Sequence, residues 1–344
     1  MNMLTLKGRL PESKDIKNKL INSAIYIVLV ALMVLIVIIN PSFLSLKNFG
    51  LVLSQSATRM IFACAIAGPI VLGGTDLSAG RLIGFAGLIT ASLLQSPDYV
   101  SRVFPNLPRL PIWLPILLAM IICALFSLVD GYLVAKLKVA PFIASLGMQM
   151  VVYGLMSVYF DSVSHSAPIG VLDEKFSGLA QNSITIFGFK LQFILLYAIA
   201  IVALIWFIWN KTKLGKNMFA IGGNAEAAVV SGVNIVLNML VIYVMAGLLY
   251  GFGGALEAAR TGSATNALGA GYELDAIAAC VVGGVSMRGG VGTIKGVITG
   301  VLLFQLISYG LVYIQVNPYL VYFVKGAIIL IAVVIDTNKY VKKK

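Results

Sequence analysis

Charge is what this sequence has least of. Only 11% of its 344 residues are Asp, Glu, Lys or Arg, while 60% are hydrophobic and the mean hydropathy is +0.98. A soluble domain of this length needs a polar surface that such a composition cannot supply, so a water-soluble globular fold is excluded. Cysteine is nearly as scarce. Cys64, Cys123 and Cys280 are odd in number and sit in apolar segments, which argues against a disulfide framework or a metal site. The single histidine, His165, is flanked by serines and lacks the partners of a catalytic constellation. No G-x-x-x-x-G-K-[ST] phosphate loop occurs, and "GGVGTIKG" has neither phosphate-loop nor dinucleotide spacing, so the chain has no readable nucleotide site. Alternating strand-like runs are few, which excludes a β-barrel.

What is present is a series of uncharged apolar runs, several of them reaching the roughly 20 residues that cross about 30 Å of hydrocarbon. Backbone groups in lipid must be satisfied within their own segment, so the reading is an all-α polytopic membrane protein. Lys and Arg number 25 against 13 Asp and Glu, a net charge of +12, and placement explains the excess. Fourteen of the basic residues fall in four short segments: residues 1–20, Lys136/Lys138, Lys211/Lys213/Lys216 and Lys339/Lys342/Lys343/Lys344. Basic clusters beside apolar runs mark cytoplasmic loops. No basic stretch with interleaved aromatics offers a face to nucleic acid. The run at 21–39 ends in "NPSF" without a small-residue cleavage site and reads as a retained first span.

With those four segments inside, the path has about ten transmembrane helices, or eight plus re-entrant pieces, and both termini are cytoplasmic. The expected spans are 21–39, 61–73, 77–95, 112–134, 141–160, 191–209, 236–256, 274–286, 291–311 and 319–335. An amphipathic stretch with Arg59 precedes the second of them, and 96–111 and 161–190 are outside loops. The domain plan is a cytoplasmic segment at 1–20, one transmembrane domain at 21–336 and a basic tail at 337–344. Two stretches, "VLGGTDLSAGRLIG" at 71–84 and "VVGGVSMRGGVGTIKG" at 281–296, break apolar runs with glycine. Glycine-interrupted segments in both halves of a transporter point to the substrate path, although small residues also serve helix packing.

One polar stretch, "KNMFAIGGNAEAAVVSGVN" at 216–234, stands between two apolar runs. Asn224 is placed to accept a first-turn amide, Glu226 complements the positive end of the helix dipole, and Gly232 suits the stop. About two turns of helix result, too short to persist alone in water, so the transporter's underside or a partner must hold it.

The residues 226–232, "EAAVVSG", have the E-A-A-x-x-x-G spacing of the cytoplasmic coupling helix in bacterial ABC-importer permeases. The preceding "GKNMFAIGGN" resembles the form this segment takes in the ribose/galactose/xylose permease family. The similarity continues in order through "GGTDLSAGRLIGFAG", "PFIASLG", "YELDAIAACVVGGVS", "GGVGTIKGVITG" and "VNPYLVYFVKGAIIL". The wording of "GGTDLSAGR" and "GSATNALG" sits with its galactose branch, and Arg288 departs from the serine expected there. The resemblance implies a non-enzymatic membrane subunit of an ATP-driven importer for galactose, methyl-galactoside or a related monosaccharide, in the bacterial inner membrane. It implies a homodimer with a second permease copy, ABC ATPase subunits that use ATP and Mg while this chain binds no cofactor, and a periplasmic or extracytoplasmic sugar-binding protein. Gly222, Gly223, Asn224, Glu226, Ala227, Ala228 and Gly232 are then the ATPase-coupling residues. The competing reading is an ion-coupled secondary sugar transporter working through Asp76, Glu257 or Asp275.

Candidate pathway residues are Asp76, Ser78, Gly80, Gln149, Ser263 and Asn266, of which the amides and serines could equally bond between helices. Asp76 is also placed to cap a helix starting at Leu77. Glu257 and Arg260, three apart on one face, are expected to pair. Glu273 and Asp275 suit a helix N-terminus, and Lys325 is expected to snorkel or pair.

Overall fold

The computed structural model describes residues 30–186 and 189–341. The segment 1–20, most of the first expected span and the last three lysines of the tail lie outside the described residues. In chain order the elements are α1 (Val30–Ile39), α2 (Leu46–Val71), α3 (Ala79–Leu93), α4 (Trp113–Ala135), α5 (Pro141–Ser164) and α6 (Glu174–Gln181). A hairpin of β1 (Ser183–Ile186) and β2 (Phe189–Gln192) follows, antiparallel, with Ser183 opposite Gln192. Then come α7 (Phe193–Lys211), α8 (Lys213–Gly223), α9 (Ala225–Val230), α10 (Ile235–Thr261), α11 (Tyr272–Val282), α12 (Ile294–Tyr313) and α13 (Pro318–Val341).

Six of these helices, α2, α4, α5, α7, α10 and α12, are long and apolar enough to cross a membrane. The 15 residues of α3 and the 11 of α11 rise only about 22 and 16 Å, short of the hydrocarbon thickness. α3 starts beyond one expected glycine-bearing break and α11 ends at the other, so the breaks expected from the sequence are real interruptions of helix.

The helix ends follow local chemistry. Ser45, Thr212, Asn234 and Thr293 each accept a first-turn amide at the start of α2, α8, α10 and α12. Pro141 occupies the first turn of α5, where its missing N–H costs nothing. At the other end of α10, Gly262 takes φ +72°.

Two expectations change. The amphipathic stretch and the span at 61–73 are one continuous 26-residue helix, α2. Its Arg59 guanidinium lies 3.4 Å over the Tyr272 ring inside the bundle. The expected loop at 161–190 also holds a helix, α6, and the strand β1. Asp173 caps α6 by accepting the Lys175 amide at 2.8 Å, and Arg109 pairs with its other oxygen at 2.7 Å. Polarity had hidden a helix that tertiary contact stabilises.

α10 is the centre of the bundle. At Gly251 an added Cβ would lie 2.4 Å from Met120 Cα, and at Gly254 2.3 Å from the Ile83 carbonyl, so α4 and α3 approach its backbone directly. Two-thirds of the apolar window of α2 is buried (67%), against 28% for α4, α5 and α7. The latter three therefore form the outer, lipid-facing layer.

One end of the bundle collects the turn before Pro141, the loop after α2, the loop between α11 and α12, and α8, through contacts of Gly74 with Pro141 and of Gly289 with Gly73 and Gly222. The opposite end holds the outer loops. There Ile169 and Ala264 form a two-bond bridge, and Tyr309 donates to Asn48 at 3.0 Å.

Candidate functional site

The polar stretch between α7 and α10 folds as two short helices. α8 is held to the bundle by Met218 and Ile221, both buried, by the edge-on contact of Phe219 with Trp209, and by Asn217 donating to Asn238 at 3.1 Å. α9 is different. Of its six residues only Ala228 is buried, while Val229 is 55% and Val230 90% exposed. Two adjacent valines facing outward at the tip are unusual for a polar element and mark a contact surface.

Capping makes so short a helix possible. Asn224 Oδ1 accepts the Ala227 amide at 2.9 Å, and Glu226 sits in the first turn. At the far end Gly232 takes φ +78° while its N–H donates to Val229 and that of Val233 to Ala228, the two-bond closure that glycine permits. Asn234 then caps α10 immediately.

Gly222 and Gly223 seat this unit. A Cβ on Gly222 would lie 1.8 Å from the Val71 carbonyl and 2.6 Å from the Gly290 amide. That amide donates to the same Val71 carbonyl at 2.8 Å, with Gly290 at φ +70°. The end of α8 therefore rests where two glycine-rich breaks meet: the one after α2, carrying "GGTDLSAG", and the one after α11, carrying "GGVSMRGGVG". Both stretches singled out for their similar pattern converge at the base of α9.

A polar layer crosses the bundle interior. Asp76 is fully buried before α3; it accepts from the Ser78 amide (2.9 Å), the Ser78 hydroxyl (2.6 Å) and Tyr250 (3.0 Å). The helix starts at Ala79 rather than Leu77, so Asp76 shapes the turn that leads into it. Ser78 is fully buried as well, and Gly80 packs under Glu273 and the Gly269 carbonyl. Gln149 and Asn266 are half-buried, and Arg81 Nη1 donates to the Asn266 carbonyl at 3.4 Å. Ser263 stands apart, at the outer end beside the Ile169–Ala264 bridge.

Glu257 is fully buried. It accepts two bonds from Arg260 (2.9 and 2.8 Å), one from Thr58 (2.8 Å) and one from Tyr272 (2.8 Å), joining α2, α10 and α11. Lys325 of α13 pairs with Asp275 at 2.9 Å. Sequence reasoning had the first pair but not the partners of Arg59, Arg81 or Lys325, which come from distant helices. The legible signal was an arginine inside an apolar run, costly unless something faces it. Among the described residues no cluster of His, Cys, Asp or Glu could hold a metal ion.

The match to known proteins covers nearly the whole chain. It is 54% identical over 320 residues to the galactose/methyl galactoside import permease protein of Escherichia coli, covering 93% of this chain and 95% of that one. To the protein of the same name in Haemophilus influenzae it is 53% identical over 322 residues, covering 94% and 96%. To the ribose import permease protein of Bacillus subtilis it is 35% identical over 317 residues, covering 90% of each. No solved structure matches. Residues 48–333 match the family model described as the permease component of the branched-chain amino acid transport system. This multi-pass helical chain therefore belongs to that family of membrane transport permeases.

Proposed function

We propose that this chain is the membrane permease subunit of an ATP-binding-cassette importer that carries galactose and methyl galactosides across the bacterial inner membrane. The observation that carries the reading is 53–54% identity over 93–94% of the chain with three permeases named for that import, a fourth of that name standing at 36%, against 32–35% for those named for ribose. The chain is not itself an enzyme. ATP and Mg are used by a partner ATPase, and sugar is delivered by an extracytoplasmic binding protein. Two copies of the permease enclose the pathway.

The lever is α9. Its exposed valines and Glu226 seat in a groove of the ATPase, and closure of the ATPase pair pushes on α8. Gly222 and Gly223 pass that push to the two glycine breaks, which join α2 to α3 and α11 to α12. Rigid helices on either side of close glycine contacts transmit displacement, because packed backbone cannot be compressed. On this reading the chain crosses ten times, α3 and α11 doing so as short helices completed by irregular segments, with both termini in the cytoplasm.

Of the carboxylates expected to serve a gradient-driven transporter, Glu257 and Asp275 are each held in an ion pair and Asp76 is bonded by Ser78 and Tyr250, which leaves Asp130, buried without a hydrogen-bond partner among the described residues, for such a role. The test is uptake by vesicles containing permease, ATPase and binding protein. Galactose accumulation is expected to need ATP and to survive collapse of proton and sodium gradients. Accumulation that persists with a hydrolysis-dead ATPase would sink the proposal.

A further inference from the structure

The chain between α10 and α11, residues 262–271, begins at the outer end and does not stay there. Its Leu268 carbonyl lies where a Cβ on Gly84 would be, 2.1 Å away, and its Gly269 carbonyl is 2.5 Å from one on Gly80. Irregular backbone thus runs down beside the first turns of α3. The depth follows from α10, whose 27 residues span about 40 Å, because Gly254 abuts the Ile83 carbonyl about 28 Å from the start. Arg81, two residues before Ile83, therefore sits about 25 Å along that helix, in its middle third. Non-helical backbone at such depth survives only inside protein or along a water-filled cavity. A guanidinium there cannot face lipid.

Arg81 is nevertheless half-buried rather than enclosed. Its guanidinium lies 4.2 Å over the ring of Tyr153 on α5, itself 40% exposed, and among the described residues it enters no ion pair. Gln149 is four residues before Tyr153, on the same face of α5. The side-chain amides of Gln149 and Asn266 take no hydrogen bond among the described residues, and Asn266 is fixed beside Arg81 through its carbonyl. Close to Gly80, the buried Glu273 supplies an opposite charge without bonding Arg81. The open face thus offers guanidinium donors, two amides and an aromatic ring, with no exposed acid. An uncharged polyol fits that set: its hydroxyls both give and take hydrogen bonds, and its C–H face stacks on a ring. Of the other charges inside the bundle, Glu257, Arg260, Asp275 and Lys325 are paired, Arg59 lies over the Tyr272 ring, Asp76 is bonded by Ser78 and Tyr250, and Asp130 is fully buried.

We propose that Arg81, Gln149, Tyr153 and Asn266 form the mid-membrane sugar contact of the pathway, on a face that the second copy of the chain closes. That face of α5 is only partly covered: Gln149 is half-buried and Tyr153 is 40% exposed, at the edge of the stripe buried through Met148, Val152 and Met156. The proposal rests on the reading of the chain as a sugar permease and names the surface that touches the sugar.

The test uses the full complex with ATPase and binding protein in vesicles. Arg81→Gln and Tyr153→Leu are expected to raise the galactose concentration for half-maximal uptake by about tenfold, the scale of one lost charge-assisted bond. ATP hydrolysis stimulated by the binding protein should stay near wild type, and Tyr153→Phe, which keeps the ring, should recover most of what Tyr153→Leu loses. Because Cys64, Cys123 and Cys280 are buried, single cysteines report cleanly. Gln149→Cys and Asn266→Cys should react with a charged methanethiosulfonate, and galactose should slow the reaction; Val158→Cys, 70% exposed on α5, should stay unreactive. The proposal is overturned if the two cysteines react no faster than Val158→Cys, or if they form a disulfide between copies and take no label. It is equally overturned if Arg81→Gln transports like wild type, or loses hydrolysis together with uptake. Failure of the broader reading would show separately, as a wild-type complex without ATP-dependent galactose uptake.

Discussion

A single side-chain oxygen, Oδ1 of Asn224, fixes where α9 begins, by taking the Ala227 amide. Asn224→Ala removes that bond and should cost the helix about 1 kcal/mol, whereas Asn224→Asp should keep it. The expected outcome is reduced galactose uptake per ATP hydrolysed for alanine and near-normal uptake for aspartate, read in reconstituted vesicles. Glu257 is a deeper constraint. Replacing it with leucine strands Arg260 and removes the acceptor of Thr58 and Tyr272, a loss of about 3–5 kcal/mol for a broken buried pair. Tm of the detergent-purified protein should fall sharply, and Glu257→Leu combined with Arg260→Met should recover part of it. The Glu257–Arg260 pair was legible from spacing alone, because three residues on a helix bring two side chains together. Asp275 with Lys325 was not, because 50 residues separate them and only the packing of α13 on α11 joins them.

Among the elements, α9 was the most readable, since its cap, first-turn acid and terminal glycine are local signals that fall within ten residues. What it rests on was not. The Gly222 contact with Val71 and Gly290 joins three segments far apart in the chain. Gly222→Ala must open that junction by more than an ångström, since backbone rather than a mobile side chain stands 1.8 Å from the new Cβ. The protein should still insert and pair with its ATPase, yet uptake should drop at least tenfold; normal uptake would show that the junction has slack. α2 was misread for a related reason. The sequence does not show that Tyr272 of α11 lies beneath Arg59, which lets one helix carry that charge through the bundle interior. α6 and the hairpin were missed because a polar loop gives no hint that Arg109 of another loop will brace its cap.

For the molecule as a whole, charge placement predicts orientation. Alkaline phosphatase fused after Leu137 or Lys213 should be inactive, and fused after Asp98 or Ala167 active, because the enzyme folds only outside the cytoplasm. The opposite pattern would invert the topology and remove α9 from reach of any cytoplasmic ATPase. The same scale explains why α4 and α7 are the most apolar of the six long spans, at mean hydropathy 2.3 and 2.4, while α2 and α10 bury more of their surfaces. The first group meets lipid and the second meets helices.

Hydropathy, charge and capping are read along a chain without knowing its fold. They were enough for the helical class, the membrane, the basic end and the capped peg, because each depends on residues within a turn or a span of one another. Which glycines touch, which arginine is sealed and which stays open, and how far the 262–271 segment descends depend on contacts between distant helices. Those were decided only when the bundle closed around α10, since at membrane depth a polar group's meaning lies in what faces it.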